Sequence, residues 1–162
     1  MKKFRFSILA LAAVILTAVT ATAALAAAPK KIVFSAKYSG NATTKVDGNT
    51  ATIAANGNGS GTLIGSGSIS GNGTGDTSQQ PCIPFTGTGT MTGSGGTITF
   101  KVLTGSSGCG DEGGHTFTIT SHLAVLSATG KLAKAKGTLK LTGVYSHDDG
   151  SFSVKVSGTL SK

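Results

Sequence analysis

From residue 31 onward the chain alternates apolar and polar positions. Ile98, Phe100 and Val102 take turns with Thr97, Thr99 and Lys101. Phe117 and Ile119 do so with Thr116, Thr118 and Thr120. Leu139, Leu141 and Tyr145 interleave with Thr138, Lys140 and Thr142, and Phe152, Val154, Val156 and Leu160 with Ser153, Lys155 and Ser157. A period of two puts successive side chains on opposite faces, so each run predicts a strand with one buried face and one hydroxyl or lysine face. No stretch of the mature chain carries a helical period.

Turn signals separate these runs at hairpin spacing. Asp47-Gly48 lies between Thr44–Val46 and Thr50–Ala54, His147-Asp148-Asp149-Gly150 joins the last two runs, and Ser127–Gly130 precedes the pair before them. The pattern predicts about eight strands, near 32–38, 43–47, 50–56, 60–70, 85–93, 96–103, 115–126 and 136–145, with 151–160 as a ninth if 43–56 is one hairpin. The fold class is therefore all-β, an antiparallel meander that either closes into a small barrel or folds over as a sandwich. Closure is favoured because only a barrel removes exposed edge strands.

Residues 57–76 break the pattern. Their odd positions are glycine except for Leu63 and Ile69, and their even positions are Ser, Thr, Asn, Asp and Ile64. A strand bare on one face bends sharply or lets something approach closely, at an entropic cost. Sharp coiling at barrel corners is expected for 59–69, and poor order for 71–80.

The N-terminus differs in kind. Met1-Lys2-Lys3-Phe4-Arg5 is basic, Ile8–Ala28 is uncharged, and Ala24-Leu25-Ala26 is a small-x-small cleavage site. The apolar core, Ile8–Val19, has signal-peptide length and falls short of the ~20 residues of a spanning helix. The expected organisation is a helical signal peptide, 1–26, removed after Ala26, a linker 27–31 and one domain 32–162; an uncleaved N-terminal anchor is the alternative. Export places the protein outside the cell or in the periplasm. No second apolar run reaches spanning length, so no membrane span is expected after cleavage.

Cleavage removes Lys2, Lys3 and Arg5, leaving eleven lysines, no arginine and six carboxylates, net +5. Specific phosphate and base recognition leans on the bidentate guanidinium, so its absence argues against nucleic acid as a partner. Gly, Ser and Thr supply nearly half of the mature chain. The lysines Lys131, Lys134, Lys136 and Lys140 form a basic cluster that would suit an anionic cell-surface polymer, or serve simply as a solvated outer face.

Cys82 and Cys109 are the only cysteines. In an exported chain they are expected to form a disulfide, tying the segment 79–84 to the loop 105–114. Asp111, Glu112 and His115 are the only neighbours that could extend the pair into a metal site, and no zinc-type spacing is present, so no metal and no cofactor are expected.

The search for catalysis is mostly negative. No serine sits in a Gly-x-Ser-x-Gly elbow. Gly108–Gly113 matches G-x-G-x-x-G by spacing but precedes a strand rather than a helix. His115 and His122 are an odd number of residues apart, hence on opposite faces of one regular strand, with His122 on the hydroxyl face. His147-Asp148-Asp149 reads as a turn with at most a weak cation site. The Thr-x-Thr ranks at 86–92, 97–99 and 116–120 lack the constant repeat that an ice-binding face needs.

The segment Ala128–Gly137, A-T-G-K-L-A-K-A-K-G, resembles the G-T-G-R-F-A-x-A-x-G turn of the allene oxide cyclase-like and dirigent-like β-barrels. Gly150, Phe152, Gly158 and Leu160 resemble the closing strand of the same superfamily. The resemblance covers about 35 residues; it implies an eight-stranded antiparallel barrel whose lumen takes a small apolar molecule. No residue here matches the acidic or arginine catalytic positions of that superfamily. The expectation is thus an exported, non-enzymatic barrel acting as a binding or surface-associated module. The alternatives are a cyclase or isomerase working in the lumen and a passive envelope component.

Overall fold

The computed structural model describes residues 28–162; the signal-peptide reading lies outside them. Nine antiparallel strands form one sheet: β1 Lys31–Asp47, β2 Thr50–Gly61, β3 Gly65–Asp76, β4 Cys82–Gly93, β5 Gly96–Val102, β6 Ser107–Gly110, β7 Thr116–Ala128, β8 Thr138–Ser146 and β9 Ser151–Ser161. β1 pairs with both β2 and β9, and β3 pairs with β4, so eight strands close into a barrel. The extra strand, β6, follows β5 in the same lane between β4 and β7. Leu103–Ser106 loops out between them. The expected barrel is the observed fold, and the closed sheet, its core and its disulfide are self-contained between Lys31 and Ser161.

Period two survives almost everywhere. Phe34, Ala36 and Tyr38 of β1 are buried while Lys31, Val33 and Lys37 face out. On the other side of the barrel, Ile98 and Phe100 of β5 and Leu139 of β8 do the same. One β7 residue, Leu126, is the exception, because the β5–β7 register slips beside it and leaves a bulge.

Three expectations need correction. The runs 32–38 and 43–47 are one strand, because Gly40 and Ala42 continue the inward alternation with small residues that carry no apolar signal. The run 60–70 is two strands, broken by a turn in which Leu63 (φ 65°) and Gly65 (φ 78°) have left-handed backbone and Ile64 turns inward. Residues 71–76, expected to be poorly ordered, complete β3 and are paired on both sides, with Gly73 opposite Ile53 on β2 and Gly87 on β4.

The glycines make this last region possible by letting neighbouring backbones and rings lie close over the bare inner face. A Cβ on Gly67 would fall 2.6 Å from the Gly93 Cα, and one on Gly57 would fall 2.8 Å from the Phe152 ring. Aromatic rings from facing positions occupy the room that missing side chains leave. Both coiling and close approach, weighed as separate explanations from sequence, operate together.

The two ends of the barrel differ. At the end where β1 begins, Ile64 from the β2–β3 turn and Leu132 from the β7–β8 loop are fully buried beside Phe34, Ile98, Leu139 and Leu160. The loop that caps this end contains a short 3-10 turn, Gly130–Leu132, and is tied down by Lys131 N–H to Gly95 O (2.8 Å) and Lys136 N–H to Ser161 O (2.8 Å). This loop is the Ala128–Gly137 segment singled out in sequence. We call this end the cap and the other the mouth.

Candidate functional site

Toward the mouth several inward positions carry small side chains. On β1 the series Phe34, Ala36, Tyr38 gives way to Gly40, Ala42 and Thr44; on β2 the inward positions near the mouth are Ile53 and Ala55. β3 and β4 contribute Gly71, Gly73 and Gly87. Too little volume is left to fill the lumen, and a cavity of about 200 Å³ results. Its walls are apolar: Ile53, Phe85, Phe100, Ile119, Leu141 and Phe152 are among them. On the order of 150 Å³ of apolar cavity is enough to admit benzene.

Few inward polar groups reach this space, and those resolved are hydrogen-bonded. The Thr44 and Tyr145 hydroxyls meet at 3.3 Å across the inner face of β9. The Ser121 hydroxyl lies 3.0 Å from the Ser106 hydroxyl, and both residues are buried. Ser106 gives its proton to Leu103 O (2.8 Å) and accepts the His122 N–H (3.2 Å), so Ser121 is the donor between the two hydroxyls. That leaves Ser121 an acceptor toward the lumen. Spacing gave no warning of this pair, because it depends on the Leu103–Ser106 excursion.

Tyr38, one inward position below Gly40 and paired with the cavity-lining Val154, is buried, and its hydroxyl has no protein partner. Burial raises the pKa of this phenol above its ordinary value, which keeps it neutral.

The mouth is rimmed by loops that carry every acidic side chain of the chain. Asp47 ends β1, Asp76 ends β3, Asp111 and Glu112 lie between β6 and β7, and Asp148 and Asp149 lie between β8 and β9. Several organise their own turns. Asp76 accepts the Ser78 N–H and hydroxyl, and Asp111 accepts the His115 and Thr116 N–H groups. These bonds hold Asp76 and Asp111 below the usual carboxylate range, chiefly through the Ser78 hydroxyl and the Thr116 amide respectively. Asp149 is lowered in the same way by the Ser151 amide.

His115 sits in the loop before β7 rather than on the strand, and its Nδ1 is 2.8 Å from an Asp148 oxygen. The hydrogen bond and charge of Asp148 raise its pKa. This contact joins two rim loops that the sequence kept apart; the turn His147-Asp148-Asp149 is thus engaged by a histidine. His122 faces outward, opposite Lys140. Among the described residues no group of three or more His, Cys, Asp or Glu side chains converges as metal ligands would.

Cys82 and Cys109 are bonded, and they are direct cross-strand partners on β4 and β6. The bridge braces the mouth where β5 has ended, joining the two segments expected from sequence. Of the lysine cluster, Lys131, Lys134, Lys136 and Lys140 are all exposed, Lys134 with φ 68°. All four belong to the cap loop or the start of β8, so the cluster and the cavity occupy opposite ends of the barrel. A second depression, at β1–β3, is lined by Asn41, Asn56, Asn58, Ser68 and Ser70 together with Gly40, Gly57 and Ile69, a more polar wall than that of the lumen. No helix among the described residues is long and apolar enough to cross a membrane. No family model, curated protein or solved structure matches the chain.

Proposed function

We propose that this chain is an exported, non-enzymatic binding barrel that holds a small apolar molecule in the mouth half of its lumen. The observation that carries the reading is the apolar cavity left in the mouth half of the lumen, beside small inward residues such as Ala42, Ala55, Gly71 and Gly73, while the cap half is packed solid. A cavity of this kind favours an apolar guest, since water finds few partners there. The disulfide fits an oxidising compartment, in keeping with the signal-like N-terminus.

Binding is preferred to catalysis because the cavity wall supplies no general acid or base suited to neutral pH. Its one ionisable side chain is Tyr145, engaged with Thr44. The eight-stranded barrel is also the architecture that the resemblance to allene oxide cyclase-like and dirigent-like barrels implies, without the catalytic positions of that superfamily.

Benzene is a suitable probe. A guest present at 100 times its Kd stabilises the folded state by about 2.7 kcal/mol, read as a rise in melting temperature. Ala55→Phe, which places a ring in the lumen, is expected to fold and to abolish that rise. No shift with benzene or longer apolar probes in the unmodified barrel would overturn the binding reading.

A further inference from the structure

The cap carries a second surface, remote from the lumen and independent of any guest bound there. Lys30 and Lys162 are held together by reciprocal backbone bonds of 2.9 Å, and Lys136 is held to Ser161 in the same way. Lys31 and Lys131 stand beside them, and among the described residues no acidic side chain lies at this end.

Two large apolar side chains stand in water within this basic field. Leu63, at the tip of the β2–β3 turn, is 42% exposed with φ 65°, a region that leucine seldom adopts. Ile64 O accepts the Gly95 N–H (2.8 Å) and Gly95 O accepts the Lys131 N–H (2.8 Å), so Leu63 and Lys131 flank the same β4–β5 turn. On the other side the Thr62 N–H bonds to Ser35 O (2.8 Å), and two residues before Ser35 stands Val33, 75% exposed.

We propose that the cap is a docking surface for an anionic lipid bilayer, with lysines against the headgroups and Leu63 and Val33 in the interface. A basic surface alone would also hold a hydrated anionic polymer. The exposed leucine and valine favour lipid, because a bilayer interface takes up apolar side chains and a hydrated polymer does not. Lysine suits a diffuse anionic surface, since it acts as a mobile point charge and its stem snorkels along apolar surroundings. β1 begins at this pole, so the segment that precedes Lys30 in sequence leads into the barrel at the end proposed to face lipid. Docked this way, the mouth and its carboxylates point away from the lipid.

The test uses the oxidised barrel, residues 27–162, with phosphatidylcholine vesicles containing or lacking phosphatidylglycerol. The chain has no tryptophan, so a single one is a clean reporter. The emission of Val33→Trp is expected to shift to the blue only on anionic vesicles and to return with added salt. Val46→Trp, at an exposed mouth position, is expected to stay unshifted. Lys131→Gln and Lys136→Gln should each weaken partitioning about fivefold. Leu63→Asn suits the left-handed backbone and should weaken partitioning without lowering the melting temperature. Failure to partition, or a shift at Val46→Trp equal to that at Val33→Trp, overturns the proposal. Retention on soluble poly(glycerol phosphate) with Val33→Trp unshifted on vesicles also overturns it, in favour of a hydrated polymer.

Discussion

The cap and the mouth are built from the same strands with the same alternation, yet one is core and the other cavity. At the cap the inward positions are Phe34, Ile98, Leu139 and Leu160, closed by Ile64 and Leu132, all fully buried. At the mouth small residues, Ala42, Ala55, Gly71 and Gly73, stand among the rings of Phe85, Tyr145 and Phe152 and leave space between them. Polarity is identical in pattern; side-chain volume differs. Charge follows the same division, with all six acidic side chains at the mouth and most lysines toward the cap. The lesson is that the period of a strand sets its faces, and the size of its inward residues sets what the enclosed space does.

The sharpest way to break this arrangement is to put volume where neighbouring strands crowd one another. Gly67→Val would drive its side chain into the Gly93 backbone, which has no rotamer with which to yield. A loss of more than about 4 kcal/mol is expected, seen as loss of a cooperative urea transition. Removing the disulfide by Cys82→Ser with Cys109→Ser should cost about 3–4 kcal/mol. Its signature in amide exchange should be local, with β4 and β6 opening before the cap. Leu132→Ala should cost about 2–5 kcal/mol for the opposite end, because it empties a fully buried site, and exchange should then quicken first around the β7–β8 loop.

Smaller effects sharpen the comparison. Tyr38→Phe removes a buried hydroxyl with no protein partner and should raise stability by about 1 kcal/mol in urea titration. A decrease would mean that the hydroxyl is satisfied in solution. The weakest contact tested is the His115–Asp148 bridge at the rim. Because the folded pKa of His115 is raised, its contribution is full below about pH 6.5 and is lost as pH rises through the folded value. Both side chains are largely exposed, so the change should be confined to exchange at the His147 amide, bonded to His115 O. Asp148→Asn should erase that pH dependence and leave the cap unchanged.

Much of the fold was legible because large and polar residues alternate plainly. Ile98, Phe100 and Val102 identify an inward face whatever surrounds them, and the Asp47-Gly48 turn locates the first hairpin. Gly40 and Ala42 hid the continuity of β1, since small inward residues give the same signal as a loop. Leu63 concealed a turn, because its left-handed backbone is imposed by the closure of the cap around Ile64 rather than by local preference. The strand β6 was missed as well; Ser107–Gly110 carries no apolar alternation and is held by its pairing with β4 and β7. The site was less legible still. Residue types announced an apolar lumen, but which inward residues leave space depends on how far opposite walls stand apart. The gathering of six carboxylates at one rim required the strand directions that closure fixes.

The most direct measurement is native mass spectrometry of the oxidised protein purified from its own host, beside its Ala55→Phe variant. The account predicts a non-covalent small-molecule adduct on the unmodified barrel that is absent from the variant. A bare unmodified barrel, or an adduct carried equally by both, would contradict a guest held in the mouth half of the lumen.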